Sequence, residues 1–439
     1  MSLTRRIRLD RLVLISLLLG VQACAAQGVG PQEPEACTAP GVYIGAPRFD
    51  GALPELGPEA LAGIEGEVEG DLAEALDAEL DALLARYPAV SVAVAIPGAG
   101  VWSSAGVGTQ ATSGLVTGTT PFRAASITKA FVSVVTQQLV EEGRIRLTDR
   151  VARWFPDLPG ADAMTVEQLL NHTNGLVSFN ALPDGGPDLD DTFRPPDELI
   201  ALASGYAAFF CPGTRWSYTN TGYVVLGRIL ERVTGSDLAE LIDLRIVRPL
   251  GLRSTTLVSP ATAGDGVPPG HAGGSMVGAS VPAYATAWAS GSLVSTAEDL
   301  VRFWHAVLSG ALIPTDAVRA SFEGAYPMKP QFPAPPGTSL FYGRGAQITV
   351  APSGAEGPGL LLEHSGGITG FNAIMAYAAE DGVFVSVMTN DEQVPAAAGL
   401  WRVLQVVRAH RDRGRLPRVA PVAVRNRTAR GPSSASCTR

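Results

Sequence analysis

Lysine is almost absent from this chain. Among its 33 lysine and arginine residues, only Lys129 and Lys329 are lysines. Arginine can replace lysine at nearly every surface position, but its guanidinium stays protonated above pH 12, whereas a lysine ammonium can be made to give up its proton. The lysine that is retained in Ser126-Ile127-Thr128-Lys129 is therefore a candidate catalytic base.

Charged residues and histidine are also scarce. Charged side chains make up 17% of the 439 residues and hydrophobic ones 46%, so we expect a globular protein with a large core. The net charge of −9 argues against a nucleic-acid partner, which would favour a basic face. The five histidines and four cysteines form no spaced ligand set, so we expect no metal and no other cofactor.

The apolar run near the N-terminus, over 12–19, is too short to span a bilayer. It follows four arginines and precedes small residues, so residues 1–25 are predicted to be an export signal peptide. Cys24 stands where a lipoprotein would be acylated, but Gln22 fits that pattern poorly, and lipidation of Cys24 with membrane association is left open. We expect the mature protein to be periplasmic or secreted.

Cysteine is too rare for a disulfide framework, but export would permit individual disulfides. If Cys24 is removed or lipidated, three cysteines remain. Cys37 and Cys437 lie in the two terminal segments and are candidates to pair, which would leave Cys211 as a buried free thiol. The odd count leaves the pairing open.

The predicted elements follow an order that indicates an α+β fold. Residues 26–70 are predicted to hold a linker rich in glycine and proline and the start of an N-terminal helix. A β-hairpin is predicted over 90–107. Residues 126–290 are predicted to be mostly helical, with loops rich in glycine, proline or aspartate over 182–196 and 264–278.

The last third of the chain turns to strands. Short β-compatible runs, each bounded by turn residues, lie at 346–351, 359–364, 373–378 and 383–388. A helix is predicted over 396–410, and the arginine-rich tail over 411–439 is expected to be disordered. We therefore predict an antiparallel sheet flanked by helices and built from both chain ends. A helical lobe over 126–290 is inserted into this catalytic domain of residues 71–410.

Ser126 and Lys129 are spaced to act together at the start of a helix. A separation of three residues puts both side chains on one helical face, so Lys129 can take the proton of the Ser126 hydroxyl. The helix N-terminus would also supply a free backbone N–H and a positive field for an oxyanion. The alternative is an N-capping serine followed by an ordinary helical lysine, as in most bare matches to this motif.

A second motif is Tyr218-Thr219-Asn220. A phenol beside two cations would have a lowered pKa and could share a proton with Lys129. Asn220 would orient Lys129 and a substrate carbonyl. For this segment taken alone, the alternative is a turn with a half-buried aromatic pair.

A third motif, His364-Ser365-Gly366-Gly367, lies at a predicted strand end. Its small residues would let a substrate backbone approach closely. His364 could donate to a substrate or assist proton return. The alternative is a buried, hydrogen-bonded histidine in a turn.

Taken in order, these three motifs resemble those of the serine β-lactamase-related family, which includes class C β-lactamases, DD-peptidases and esterases. Segments between the motifs are also similar to that family, at 169–176, 249–252 and 293–300. The resemblance covers residues 71–410. It implies a β-lactamase/DD-peptidase fold and hydrolysis through an acyl-enzyme.

The resemblance also implies a role for each catalytic residue. Ser126 would be the acylated nucleophile, and Lys129 and Tyr218 would together act as its base. Asn220 would orient them, and the N–H groups of Ser126 and Gly367 would form the oxyanion hole.

Other motif residues are assigned to the substrate. Ser365 and Gly366, together with Asn220, would contact it, and His364 would complete the catalytic set. His172 matches a position that looks structural in the family, so we leave it out of the site.

The third motif bears on the substrate. Class C β-lactamases usually carry Lys-Thr-Gly there, whereas His364-Ser365-Gly366 is more similar to some DD-peptidases and many esterase-like members. We therefore predict an exported, monomeric serine hydrolase of small molecules or peptides, with D-Ala-D-Ala carboxypeptidase-like or related peptidase activity. Alternatives are an esterase on small acyl esters, a class C-like β-lactamase, or a non-catalytic envelope protein that retains the penicillin-binding fold.

Overall fold

The computed structural model describes residues 37, 39, 41–57, 61–108, 116–184, 192–260, 266–277, 281–329 and 336–413. The predicted signal peptide, Cys24, Cys437 and the tail beyond residue 413 lie outside the described residues.

The strands of the described chain are, in order, β1 (Ala89–Ile96), β2 (Gly100–Val107), β3 (Phe122–Arg123), β4 (Thr256–Leu257), β5 (Gly270–Ala272), β6 (Ser275–Val277), β7 (Leu293–Ser295), β8 (Tyr326–Met328), β9 (Ser339–Tyr342), β10 (Gln347–Val350), β11 (Leu360–Ile368), β12 (Phe371–Ala378) and β13 (Val383–Thr389). Eight of them form one sheet in the order β2-β1-β13-β12-β11-β10-β9-β8. Neighbouring strands in this sheet pair antiparallel.

The helices are α1 (Asp71–Leu84), α2 (Thr128–Glu141), α3 (Val166–Leu170), α4 (Pro196–Ser204), α5 (Asn220–Thr234), α6 (Leu238–Ile242), α7 (Arg248–Leu250), α8 (Val281–Thr286), α9 (Ala297–Leu308), α10 (Thr315–Phe322) and α11 (Ala396–Asp412). A π-helical turn, Asp243–Val247, joins α6 to α7. None of the helices in the described chain is both long and apolar enough to cross a bilayer.

Helices cover both faces of the large sheet, as the alternation of side chains along β1 shows. Val90, Val92 and Val94 pack with leucines and valines of α1 and α11 on one face of the sheet. Ala89 and Ala93 face the other side, where α9 and the helical lobe pack. Every residue of β1 is buried, because both faces of this strand are covered.

The sheet therefore joins β1 and β2 from the start of the domain with strands from its end, and the helical lobe lies between them in sequence. The prediction of an α+β fold with an antiparallel sheet built from both chain ends is confirmed. The loop predicted over 264–278 differs in one respect, because a short hairpin of β5 and β6 forms within it.

Two expectations about the N-terminal segment and the cysteines need correction. Cys37 forms a disulfide with Cys211, so the candidate Cys37–Cys437 pair, and the free Cys211 thiol that it would leave, are wrong. The segment after Cys37 is packed against the domain, since Gly41 N donates to Pro212 O at 2.9 Å. This contact lies next to the disulfide, which joins two cysteines 174 residues apart in the sequence.

Candidate active site

Ser126 lies in a 3₁₀ turn, Ala125–Ile127, that comes directly before α2. Ala125 has a φ of 49°, a left-handed conformation that costs a non-glycine residue about 1–3 kcal/mol and is typical of functional sites. The turn is held from β7: Thr128 Oγ1 donates to Ala125 O at 2.6 Å and accepts from Leu293 N at 3.0 Å. Ser126 thus precedes α2 rather than opening it as predicted.

Lys129 is fully buried, and its hydrogen-bond partners are uncharged groups. Its Nζ lies 3.1 Å from Ser126 Oγ, 2.8 Å from Asn220 Oδ1 and 2.6 Å from Ser290 O. Burial holds the pKa of Lys129 well below its ordinary value of 10.5.

The three contacts suit a neutral amine. Asn220 Oδ1 and Ser290 O can only accept, so they take the two N–H bonds of a neutral Lys129. The nitrogen lone pair is then left for Ser126, whose O–H can donate to it. The structure therefore places a lysine nitrogen of lowered pKa 3.1 Å from the hydroxyl oxygen of the predicted nucleophile.

Tyr218 hydrogen-bonds to Ser126, but its pKa shifts in the direction opposite to our prediction. Burial raises the pKa of the Tyr218 phenol, and the hydrogen bond to Ser126 offsets this only in part. The predicted lowering is wrong because the expected cations are absent: Lys129 and His364 are both driven toward their neutral forms. Tyr218 is therefore a protonated phenol that can donate or relay a proton beside the nucleophile.

Asn220 is fixed on three sides at the start of α5. Its Oδ1 accepts from Lys129, its backbone N–H donates to Ser178 Oγ at 2.9 Å, and its Nδ2 donates to Asn180 Oδ1 at 3.0 Å. Ser178 Oγ also donates to Asn180 Oδ1, at 2.8 Å. Asn220 therefore contacts Lys129 through Oδ1, and its predicted role in orienting Lys129 and a substrate carbonyl stays a prediction.

His364 is placed beneath the site rather than on its surface. The side chain is fully buried, and the residue is not part of the cleft wall. Its Nδ1–H donates to Ser365 O at 2.7 Å, so Nε2 accepts the proton of Tyr342 OH at 2.9 Å. Burial, and then the nearby Lys129, lower the pKa of His364 to about 3. This geometry does not provide the direct contact with substrate that we predicted for His364.

Ser365 and Gly366 also differ from their predicted role. Successive strand residues point to opposite faces, and Ser365 Oγ donates to Gln347 Oε1 at 3.0 Å, outside the cleft wall. A Cβ on Gly366 would lie 2.2 Å from Ala124 O and 3.1 Å from Ser126 N. Gly366 is therefore required for β11 to pack against the turn that holds Ser126, and it does not contact the cleft.

Ser126, Asn220 and Gly367 line a cleft of about 630 Å³, a size typical of small-molecule sites. Gly367 follows Gly366, which touches the Ser126 turn, so the two predicted oxyanion donors come from adjacent segments. The rest of the wall is lined by Ala125, Phe179, Asn180, Ala283, Tyr284, Thr286, Ala287, Ser290, Gly291, Ile368 and Thr369.

Sequence reasoning missed several of these residues. Ser290 acts through its backbone carbonyl, which any residue could supply, so its side chain gives no signal. Asn180 lies four residues after the 169–176 segment that resembles the family, but no motif marked it. Within the described chain, no group of three or more His, Cys, Asp or Glu side chains is arranged to hold a metal.

His172 packs behind Tyr218 and does not line the cleft. Its ring lies 4.2 Å from the ring of Tyr218 and 4.5 Å from that of Tyr342. Its Nδ1 accepts from Thr219 N at 3.3 Å. Burial lowers the pKa of His172 well below its ordinary value, so it is a neutral packing residue behind Tyr218.

Comparisons with known proteins agree with this geometry. The chain is 26% identical over 289 residues to a penicillin-binding protein of Bacillus subtilis (strain 168), covering 62% of this chain and 61% of that protein. It is 35% identical over 156 residues to esterase EstB of Burkholderia gladioli, covering 32% of this chain and 39% of the esterase. The chain thus spans less than two thirds of the length of either relative.

A solved structure matches more completely. D-amino acid amidase from Ochrobactrum anthropi SV3 superimposes with a TM-score of 0.68 and 27% identity, over 78% of this chain and 100% of the amidase. The family model described as Beta-lactamase matches residues 76–408, which include every predicted catalytic residue. The chain therefore belongs to the β-lactamase family, a family of serine hydrolases.

Proposed function

We propose that this chain is an exported serine hydrolase that cleaves an amide or ester through an acyl-enzyme on Ser126. The observation that carries the proposal is the environment of Lys129. This lysine is buried, has no carboxylate among its hydrogen-bond partners in the described part of the chain, and lies 3.1 Å from Ser126 Oγ. A neutral amine in that position is a general base for a serine hydroxyl.

The reaction follows from this arrangement. Lys129 accepts the Ser126 proton as Oγ attacks the acyl carbon, and the N–H groups of Ser126 and Gly367 stabilise the oxyanion. Collapse of the intermediate breaks the bond to the leaving group, which takes the proton from Lys129 through the Tyr218 hydroxyl. Water then attacks the acyl-enzyme, gives its proton to the same base, and releases the acid with Ser126 regenerated.

The first candidate substrate is a peptide or amide with a D-configured residue, as in a D-Ala-D-Ala carboxypeptidase-like or related peptidase. Support comes from the penicillin-binding relative and from the D-amino acid amidase, whose whole length this chain matches at 27% identity.

An ester is the second candidate, because the described wall of the cleft is neutral. It offers amide and hydroxyl groups from Asn180, Asn220, Thr286 and Thr369, together with apolar side chains such as Phe179 and Ile368. Such a wall suits an uncharged acyl donor. The relative with 35% identity over its matched region is itself called an esterase.

Covalent labelling tests the proposed chemistry. A fluorophosphonate or a fluorescent penicillin should modify the wild type at Ser126, as located by peptide mass spectrometry, and should leave Ser126→Ala unmodified with its melting temperature retained. Absence of labelling by both probes would favour the non-catalytic envelope protein. An acyl group on another serine would refute the assignment of Ser126.

Turnover separates the substrate candidates. A D-Ala-D-Ala peptide, the same peptide as a C-terminal amide, a short-chain ester and nitrocefin are compared with one enzyme preparation. The highest kcat/KM on either peptide favours the peptidase or amidase. The highest value on the ester favours the esterase, and the highest value on nitrocefin favours a class C-like β-lactamase.

Export is supported by the basic and apolar N-terminal sequence and by the Cys37–Cys211 disulfide, since such bonds persist mainly in oxidising compartments. Cell fractionation tests it. Full-length, uncleaved protein confined to the cytosol would refute export. Unchanged membrane association of Cys24→Ser would exclude anchoring by that cysteine.

A further inference from the structure

An N-terminal strap, defined here as residues 41–49 with Cys37, is attached at one end to the segment that carries Tyr218. Cys37 is disulfide-bonded to Cys211. Gly41 N donates to Pro212 O and Ile44 N donates to Thr214 O, each at 2.9 Å. The strap thus holds 211–214 by one covalent bond and two backbone hydrogen bonds.

The other end of the strap is attached to the edge of the large sheet. Phe49 N donates to Ala325 O at 2.8 Å, and Arg48 Nε donates to Gly324 O at 2.6 Å. The Tyr43 ring packs edge-on against Tyr326 of β8, with 4.9 Å between centroids. The strap therefore connects the helical lobe to the edge of the sheet.

The Tyr218 segment, residues 209–219, needs such support because it forms neither helix nor strand. From the inner side it is held by backbone bonds to 172–175: Phe209 N to Gly175 O at 2.9 Å, Gly213 N to Thr173 O at 2.8 Å, and Ser217 N to His172 O at 3.1 Å. The strap supplies the contacts from the outer side.

Buried polar atoms around this segment add to the need for restraint. Trp216 Nε1, Thr219 Oγ1 and His172 Nε2 are buried and have no hydrogen-bond partner within the described chain. An unpaired buried polar group favours local opening, where water can satisfy it. A segment with three such groups at or beside it stays closed only when other contacts hold it.

We propose that the strap is a positioning element that keeps the Tyr218 hydroxyl against Ser126, so that full activity requires the Cys37–Cys211 disulfide. The proposal rests on the proposed function, because it assigns the strap an effect on the acyl-transfer step. Loss of the disulfide frees the outer side of the Tyr218 segment, and the phenol then spends less time in contact with the nucleophile.

The test compares covalent labelling rates of the full chain before and after loss of the disulfide. Dithiothreitol gives two electrons and two protons to the bond, leaving two thiols and a cyclic disulfide. Cys37→Ser/Cys211→Ser removes the bond permanently. Both should lower the fluorophosphonate labelling rate about 10-fold, less than the 10²–10⁴-fold effect of removing an acid–base group outright.

A Tyr218→Phe background distinguishes positioning from a general loss of stability. Labelling of Tyr218→Phe is followed over hours. If the strap acts through the Tyr218 hydroxyl, opening the disulfide in this variant should change the labelling rate less than 2-fold. An equal effect in both backgrounds would overturn the proposal, and so would no effect in the wild type.

Two further variants complete the test. Gly41→Val keeps both cysteines, but a Cβ there would lie 2.0 Å from Thr214 Cγ2, so it should displace the strap and reduce the rate in the same way. Arg402→Gln breaks the distant Arg402–Glu79 pair and serves as the stability control. A similar rate loss in Arg402→Gln at matched melting temperature would overturn the proposal. A wild type that is never labelled would instead refute the proposed function.

Discussion

Substitution of Lys129 tests the central argument, that the site depends on a lysine able to lose its proton. Lys129→Arg places a permanent cation at this position, and Lys129→Met keeps the length of the side chain without charge. Both remove the base, so both should lower kcat/KM by about 10²–10⁴-fold, the usual effect of losing a general base. The assay is acylation by the best substrate found among the peptides, the ester and nitrocefin.

The two variants should differ in stability. Lys129 is fully buried and its hydrogen-bond partners are the neutral atoms of Ser126, Asn220 and Ser290. A guanidinium would remain charged there, and an uncompensated buried charge costs about 3–5 kcal/mol. Because the entropy of unfolding is about 2 cal/mol/K per residue, this cost should lower the melting temperature of a domain of this size by roughly 5 °C. Lys129→Met should avoid this loss.

The pH dependence of stability gives an independent measurement. Between the lowered pKa of Lys129 and its ordinary value of 10.5, the unfolded state carries a proton that the folded state lacks. The free energy of unfolding should therefore rise with pH across that window. Denaturant unfolding at pH 7 and pH 9.5 should show a smaller rise in Lys129→Met than in the wild type.

Two results would refute this reasoning. An arginine variant with near-normal activity would show that the scarcity of lysine carries no catalytic information. Equal stability changes with pH in the wild type and Lys129→Met would show that Lys129 is charged in the folded protein.

Three further predictions concern the strand β11. Gly366→Ala should reduce acylation by 10-fold or more, because its Cβ would lie 2.2 Å from Ala124 O and displace the Ser126 turn; unchanged kcat/KM would contradict this packing. His364→Gln should leave the shape of the pH–rate profile between pH 5 and 8 unchanged, because the pKa of His364 is about 3; disappearance of an inflection near pH 6.5 would show that the histidine titrates there. Burial raises the pKa of Glu363 from 4.5 to about 7, so the folded state retains a proton that the unfolded state has lost. The free energy of unfolding should fall by up to about 3 kcal/mol as pH rises from 4.5 to 7, and Glu363→Gln should abolish this fall; a retained slope would assign it to other groups.

The sequence by itself determined the local parts of the site and the class of fold. Ser126 and Lys129 are three residues apart, so any helical turn brings them together, and no distant contact is needed. The strand runs near the end of the chain are short, β-compatible and bounded by turn residues, which the sequence shows directly. These features are local, and local geometry follows from the order of residues.

The tertiary structure decided burial, and burial decided the protonation states. Tyr218 was predicted to lie beside two cations, and His364 was predicted to donate to a substrate or assist proton return. Desolvation instead raises the pKa of the phenol and lowers that of the imidazole. The tertiary structure also decided which face of β11 meets the cleft. His364 and Ser365 are neighbours on this strand, so they cannot both face one cleft. Their orientation depends on the register of β11 against its neighbours.

Long-range pairing was also beyond the sequence. Cys37 meets Cys211 across 174 residues because the strap packs along 212–214, and composition alone had marked that segment as a linker. The partners of Lys129 illustrate the same limit, since Asn220 belongs to a motif but Ser290 contributes only a backbone carbonyl. A carbonyl has no side-chain signature, so only the folded chain shows which one completes the site.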